Sequence, residues 1–263
     1  MPKFCANLTT LFNEVDFIRR FELAARAGFR GVECRFPYEW DKEQMAGLLA
    51  QHGLEQVSYN LPAGNWEAGE RGIACLPERR GEFQAGVGLA VEYARALKCP
   101  RLNCLVGLTP AGLAAEEAQR TLVDNLRFAA GALEKEGIRL LVEPVNSQDV
   151  PGFHLVHTRQ ALQLFREVNH SNLWLLYDVY NMQIMEGNLT RTIRDNLERI
   201  AHMQLADNPG RHEPGSGEIN FTNLFRFIDE AGYDGWIGCE YVPAGKTEDG
   251  LGWLKHFLQE GGR

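Results

Sequence analysis

The feature that most restricts this chain is an alternation: short, unbroken apolar runs separated by longer stretches with helical periodicity, from one end to the other. The runs fall at 4–8, 31–35, 56–60, 102–106, 140–144, 173–178, 202–206 and 236–241. A strand exposed on one face alternates polar and apolar residues. A strand covered on both faces reads as a continuous apolar run, which marks a parallel sheet packed under helices. Between the runs, Leu122, Leu126, Ala129 and Leu133 recur at a spacing that puts them on one face of a helix. Phe17, Phe21, Ala24 and Ala25 do the same earlier, and Leu224, Phe225, Ile228 and Ala231 later. Gly28, Gly137 and Gly232 stand where a left-handed residue closes a helix.

About eight such units without a linker predict a (β/α)8 TIM barrel, with residues 1–263 as a single domain close to the roughly 250 residues that barrel needs. An open doubly wound sheet is the alternative, but Thr9-Thr10-Leu11-Phe12-Asn13-Glu14 after the first run has no glycine-rich phosphate loop. The net charge of -8 comes with no long run of one sign, which argues against nucleic acid as a partner. No run of about 18 apolar residues occurs, so no membrane span is expected. The first residues show no secretion signal. The six cysteines form no C-x-x-C pair, and Cys5, Cys34 and Cys239 lie in apolar runs, which predicts reduced, buried thiols in a cytoplasmic protein.

In such a barrel the chemistry sits at the C-terminal ends of the strands. The fifth run ends on Glu143, the sixth on Asp178, the seventh carries Gln204, and the eighth leads to Glu240. One acid in an apolar strand is explicable by a local partner, and Glu33 is left open between that reading and a site role. Three acids and an amide on successive strands call for a shared counter-charge, because buried carboxylates are costly unless neutralised. Four hard oxygen donors favour one divalent metal, Mg²⁺ or Mn²⁺, with positions left for substrate or water. His202 reads as readily as a core residue as a ligand. A metal beside glutamates polarises a carbonyl and its neighbouring hydroxyl, and a glutamate on each side then moves the proton. Glu143 and Glu240 come from non-adjacent strands and are the expected catalytic pair. Asp178 and Gln204 are expected as ligands only. The loop at 61–72 presents Trp66 and Arg71, and the loop at 207–218 presents Arg211 and His212. Either arginine suits a small anionic substrate, since a guanidinium grips a carboxylate through two parallel hydrogen bonds.

Several segments together carry a resemblance: Asn60-Leu61-Pro62-Ala63-Gly64, Glu70-Arg71-Gly72-Ile73-Ala74-Cys75, Asn103-Cys104-Leu105-Val106-Gly107, Val142-Glu143-Pro144-Val145-Asn146, Tyr177-Asp178-Val179-Tyr180, Ala206-Asp207-Asn208-Pro209 with Gly217-Glu218-Ile219-Asn220, and Gly238-Cys239-Glu240-Tyr241. Nearly end to end, the chain resembles the hydroxypyruvate isomerase family among the xylose-isomerase-like barrels. The resemblance implies metal ligands at Glu143, Asp178, Gln204 and Glu240 and an acid/base pair at Glu143 and Glu240. It implies interconversion of hydroxypyruvate and tartronate semialdehyde through an enediol, as in glyoxylate metabolism, and no organic cofactor. Asn60 joins Trp66, Arg71, Arg211 and His212 as a substrate-facing residue. Two positions depart from the family pattern: Asn181 and Ser147 stand where histidines are expected. The competing readings are a 2-oxo-tetronate isomerase, a ketose 3-epimerase acting on an uncharged sugar, and an inactive barrel that binds sugar acids. Trp253 and Phe257 are candidates for a homo-oligomer contact.

Overall fold

The structure, a computed structural model, describes residues 2–254. Eight parallel strands close into a barrel in chain order: β1 (Lys3–Asn7), β2 (Gly31–Glu33), β3 (Glu55–Asn60), β4 (Arg101–Cys104), β5 (Arg139–Val142), β6 (Leu173–Asp178), β7 (Ile200–Leu205) and β8 (Trp236–Cys239). The outer layer consists of α1 (Phe17–Arg26), α2 (Lys42–His52), α3 (Arg80–Leu97), α4 (Ala115–Glu134), α5 (Thr158–Val168), α6 (Val179–Met185), α7 (Leu189–Asn196) and α8 (Phe221–Glu230). The expected TIM barrel is therefore the observed fold.

The helix stripes face the sheet as their spacing requires. Leu122, Leu126, Ala129 and Leu133 of α4 are all fully buried. Phe17, Phe21 and Ala24 are buried in α1, with Ala25 half-buried at its margin. Gly28, Gly137 and Gly232 all adopt positive φ at the ends of helical segments.

The strands stop earlier than their apolar runs. The fourth run ends its ladder at Cys104, the fifth at Val142 and the eighth at Cys239. Beyond those points loops take the backbone groups that a neighbouring strand would have used: Cys75 N donates to Val106 O at 3.0 Å, and Val145 N donates to Leu155 O at 3.0 Å. Glu143 and Glu240 thus lie one residue past their strands, in the mouth of the barrel.

Closure joins the first strand to the last, with Cys5 opposite Gly238 on one side and Gly31 on the other. Glycine at 238 is a spatial requirement, because a Cβ there would lie 2.3 Å from Glu33 Oε1. Room for an acid inside the barrel is made by removing a side chain from the adjacent strand.

All six cysteines are buried and unpaired. No helix among the described residues is long and apolar enough to cross a membrane. Trp253, half-buried, packs 5.3 Å from the Phe4 ring and 5.8 Å from that of Phe225. Phe257 lies outside the described residues.

Candidate active site

The four oxygen-bearing residues expected at the strand ends are all found at the barrel mouth. Asp178 closes β6 and caps α6, its carboxylate accepting from Tyr180 N at 2.8 Å and Asn181 N at 3.3 Å. Gln204 lies opposite it in β7. Asn181 Nδ2 donates to both Asp178 Oδ2 at 2.7 Å and Glu143 Oε1 at 3.0 Å, so those two acids share one amide. Arg211 Nη2 stands 2.7 Å from Glu240 Oε2 and 3.7 Å from Asp178 Oδ2, so that pair shares one guanidinium. Asn103 donates to the other oxygen of Glu143 at 3.1 Å, and Asn7 to Glu240 at 3.3 Å. Asn181, noted as a departure from the family pattern, is thus the amide that ties two of the acids together. Ser147 is exposed, its hydroxyl 3.6 Å from Met185 Sδ.

This arrangement is short of positive charge. Burial pushes the Glu143 carboxyl well above the usual range, and the charges of Asp178 and Glu240 add to that. Burial likewise raises Asp178 to about 6, with Arg211 pulling the other way. Of the three carboxylates only Asp178 and Glu240 pair with Arg211, and burial makes each uncompensated charge expensive. Gln204 supplies a second sign of the same deficit. Its Nε2 donates to Glu33 Oε1 at 2.7 Å, while its buried Oε1 has no hydrogen-bond partner. Gln204, Glu143, Glu240 and Asn7 border a space of about 20 Å³, the size for one water or ion. An orphaned amide oxygen beside hard carboxylate donors fits a divalent cation of the Mg²⁺ or Mn²⁺ kind.

Glu33, left open by the sequence, lies just beneath. Its carboxylate accepts from His202 Nε2 at 2.6 Å, Gln204 Nε2 at 2.7 Å and Asn7 Nδ2 at 2.9 Å. Burial would raise this acid, but His202, Gln204 and Asn7 together hold it below the usual carboxylate range. Cys5, Glu33 and His202 bring a thiol, a carboxylate and an imidazole within 4.8 Å of one another, a grouping that can hold a metal. Burial, followed by the charge of Glu33, raises the Cys5 thiol well above its ordinary value, which keeps it protonated, and the Glu33 oxygens are already engaged. The physical role this supports is orientation: Glu33 fixes which end of Gln204 points away from it. Among the described residues no comparably tight grouping is formed by Glu143, Asp178 and Glu240, which stand apart around Arg211.

Above the acids is a cavity of about 240 Å³, bordered among others by Asn60, Trp66, Arg71 and Arg211 together with Glu143 and Glu240. Four of the five expected substrate-facing residues therefore line it. His212 does not: its Nδ1 meets Val242 O at 2.7 Å. Arg211 sits at φ 57, and this left-handed kink turns Arg211 inward and its successor outward. Asp207 pins the loop by accepting from Gly215, Gly217 and Ile219 backbone amides at 2.8, 2.9 and 3.1 Å. The sequence reading missed Asn7, Asn103 and Arg35. Each is a polar residue within an apolar run, the same signal that marked the acids.

The model of the xylose isomerase-like TIM barrel family matches residues 21–257. The chain belongs to this family. Within the xylose isomerase-like barrels, it is 55% identical over 257 residues to the hydroxypyruvate isomerase of Escherichia coli (strain K12), across 98% of this chain and all of that protein. It is 43% identical over 260 residues to a 2-oxo-tetronate isomerase of Pectobacterium atrosepticum, across 99% of each. A crystal structure from Brucella melitensis, described as an AP endonuclease of family 2, superposes with a TM-score of 0.95 at 47% identity, covering 98% of this chain and 99% of that one.

Proposed function

We propose that this xylose isomerase-like barrel is a hydroxypyruvate isomerase, interconverting hydroxypyruvate and tartronate semialdehyde. The observation that carries the reading is that Glu143 and Glu240, delivered by β5 and β8, border one cavity whose other charged groups include three arginines. Two carboxylates flanking a pocket that also presents arginines suit proton transfer between adjacent carbons of a small acid. One glutamate takes a proton from the terminal hydroxymethyl carbon. The other delivers a proton to the neighbouring carbonyl carbon, while the hydroxyl proton passes from one oxygen to the other. Atoms and electrons balance without an oxidant or reductant.

Glu143, Asp178, Gln204 and Glu240 would hold one Mg²⁺ or Mn²⁺, which when bound polarises the substrate's carbonyl and hydroxyl oxygens. Asn181 and Asn103 fix the Glu143 carboxylate, and Asn7 and Arg211 fix that of Glu240.

A 2-oxo-tetronate presents the same hydroxy-carbonyl unit, and relatives of that name are 43% and 42% identical to this chain against 55% for the hydroxypyruvate isomerase. The higher identity favours the three-carbon acid. The arginines of the cavity weigh against an epimerase acting on an uncharged sugar. The intact acid cluster weighs against an inactive sugar-acid-binding barrel. The net charge of -8 weighs against a nucleic-acid substrate. Six buried, unpaired thiols support a cytoplasmic setting.

The test is turnover of hydroxypyruvate and of a 2-oxo-tetronate by chelated and by Mg²⁺- or Mn²⁺-reloaded protein. Metal-dependent loss of hydroxypyruvate establishes the reading. Turnover of the longer acid alone moves the substrate. Silence on both with metal bound removes the isomerase.

A further inference from the structure

Three guanidinium groups border the 240 Å³ cavity: those of Arg35, Arg71 and Arg211. A substrate carboxylate needs one whose donors are uncommitted, and the three differ sharply in that respect. Arg211 is paired with Glu240 at 2.7 Å and with Asp178 at 3.7 Å, and lies over the Tyr180 ring at 5.0 Å. Arg71 donates from Nη1 alone to the backbone oxygens of Trp66 at 3.0 Å and Glu70 at 2.8 Å, which ties it to its own loop while Nη2 and Nε stay open. The Arg35 guanidinium makes no ion pair and no side-chain hydrogen bond among the described residues, although the charges of Glu240 and Glu143 reach it. It lies 4.6 Å over the Trp66 ring, whose indole also meets Arg71 at 4.0 Å.

Its placement is firm as well as free. The backbone of Arg35 is pinned by two hydrogen bonds, its N–H donating to Thr9 Oγ1 at 2.7 Å and its carbonyl accepting from Asn60 N at 3.0 Å. Arg35 borders the same 20 Å³ space as Glu33, and its guanidinium lies over the Trp66 indole. Burial lowers its proton affinity, Glu240 and Glu143 oppose that, and the neighbouring Arg211 and Arg71 add to it. A positioned, unpaired guanidinium loses little freedom on binding and offers a planar fork that matches a carboxylate.

We propose that Arg35, held over the Trp66 ring, is the residue that receives the substrate's carboxylate, while Arg211 serves the acid cluster. This rests on the reading that the substrate is a small hydroxy-carbonyl acid. It makes Arg35 the residue that separates such acids from uncharged sugars.

The test compares wild type with Arg35→Met, Arg35→Lys and Arg211→Met. The measurements are KM and kcat on hydroxypyruvate, hydroxypyruvate binding at reaction equilibrium by titration calorimetry with Mg²⁺ present, and Mg²⁺ affinity. The expected result is that Arg35→Met raises KM and the binding constant at least tenfold, leaves Mg²⁺ affinity unchanged and lowers kcat less than KM rises. Arg35→Lys recovers part of the loss. Unchanged hydroxypyruvate binding in Arg35→Met, or a loss of Mg²⁺ affinity equal to the loss of hydroxypyruvate, overturns the assignment. A wild type that binds hydroxypyruvate without converting it overturns the proposed reaction but leaves Arg35 measurable by calorimetry. A wild type that neither binds nor converts it removes both.

Discussion

A carboxylate as buried as Asp178 is tolerable only while something shares its charge. Its proton affinity is raised to about 6, so the folded chain holds this proton after the unfolded chain has released it. The stability this contributes is complete below the ordinary carboxylate range and is lost as pH rises through about 6. Glu143, raised further, extends the loss to higher pH, whereas Glu33, held low, acts in the opposite sense under acid conditions. The clean readout is therefore a difference. In chelator, Asp178→Asn is expected to unfold at a higher temperature than wild type above pH about 6, with the gap closing towards pH 4, as followed by thermal melts. For the chemistry itself, Glu143→Gln and Glu240→Gln are each expected to lower kcat by about 10²–10⁴-fold, the usual share of a positioned acid or base. At this scale the acids were legible because a charge in an apolar strand demands explanation. Asn7, Asn103 and Arg35 gave the same signal more faintly. Amides carry no charge to be neutralised, and an arginine at a strand end reads equally as a solvated one.

The strands and helix stripes were legible from spacing alone, but the ends of the strands were not, because loops compete for the last hydrogen bonds of the ladder. The loop carrying Trp66 and Arg71 is held by such competition. Glu70 accepts from Asn65 N and is braced by Arg79 at 2.6 Å. Gly72 sits at φ 120, and a Cβ there would lie 2.1 Å from the Leu105 carbonyl oxygen. Gly72→Ala should therefore displace the whole loop and raise KM for hydroxypyruvate more than it lowers metal affinity, which kinetics and metal titration would separate. Arg35 and Trp66 also border a second space of about 450 Å³ lined by Phe36, Tyr38 and Trp40. Trp66→Ala is expected to join the two spaces and shift the kcat/KM ratio at least tenfold towards the four-carbon acid. On the outer layer, Leu126→Ala should cost about 2–5 kcal/mol in urea unfolding, the usual range for a fully buried leucine.

For the molecule as a whole, metal and fold are expected to support one another. A divalent ion that binds the folded chain alone stabilises it by about 2.7 kcal/mol at a hundred times its dissociation constant. Mg²⁺ or Mn²⁺ should therefore raise the melting temperature of wild type at pH 7.5 and leave Asp178→Asn nearly unmoved. Closure of the barrel has a consequence for how the protein comes into being. Asn7 meets Glu240 across 233 positions of chain, and β1 finds its second neighbour only in β8. A chain leaving the ribosome has released its first strand long before its last exists. Until then Glu143 and Asp178 lack Glu240, and Arg211 lacks the carboxylate it pairs with most closely. The nascent protein cannot acquire its chemistry by degrees, and a fragment stopped before β8 would be an unclosed sheet with an open seam rather than a weaker enzyme.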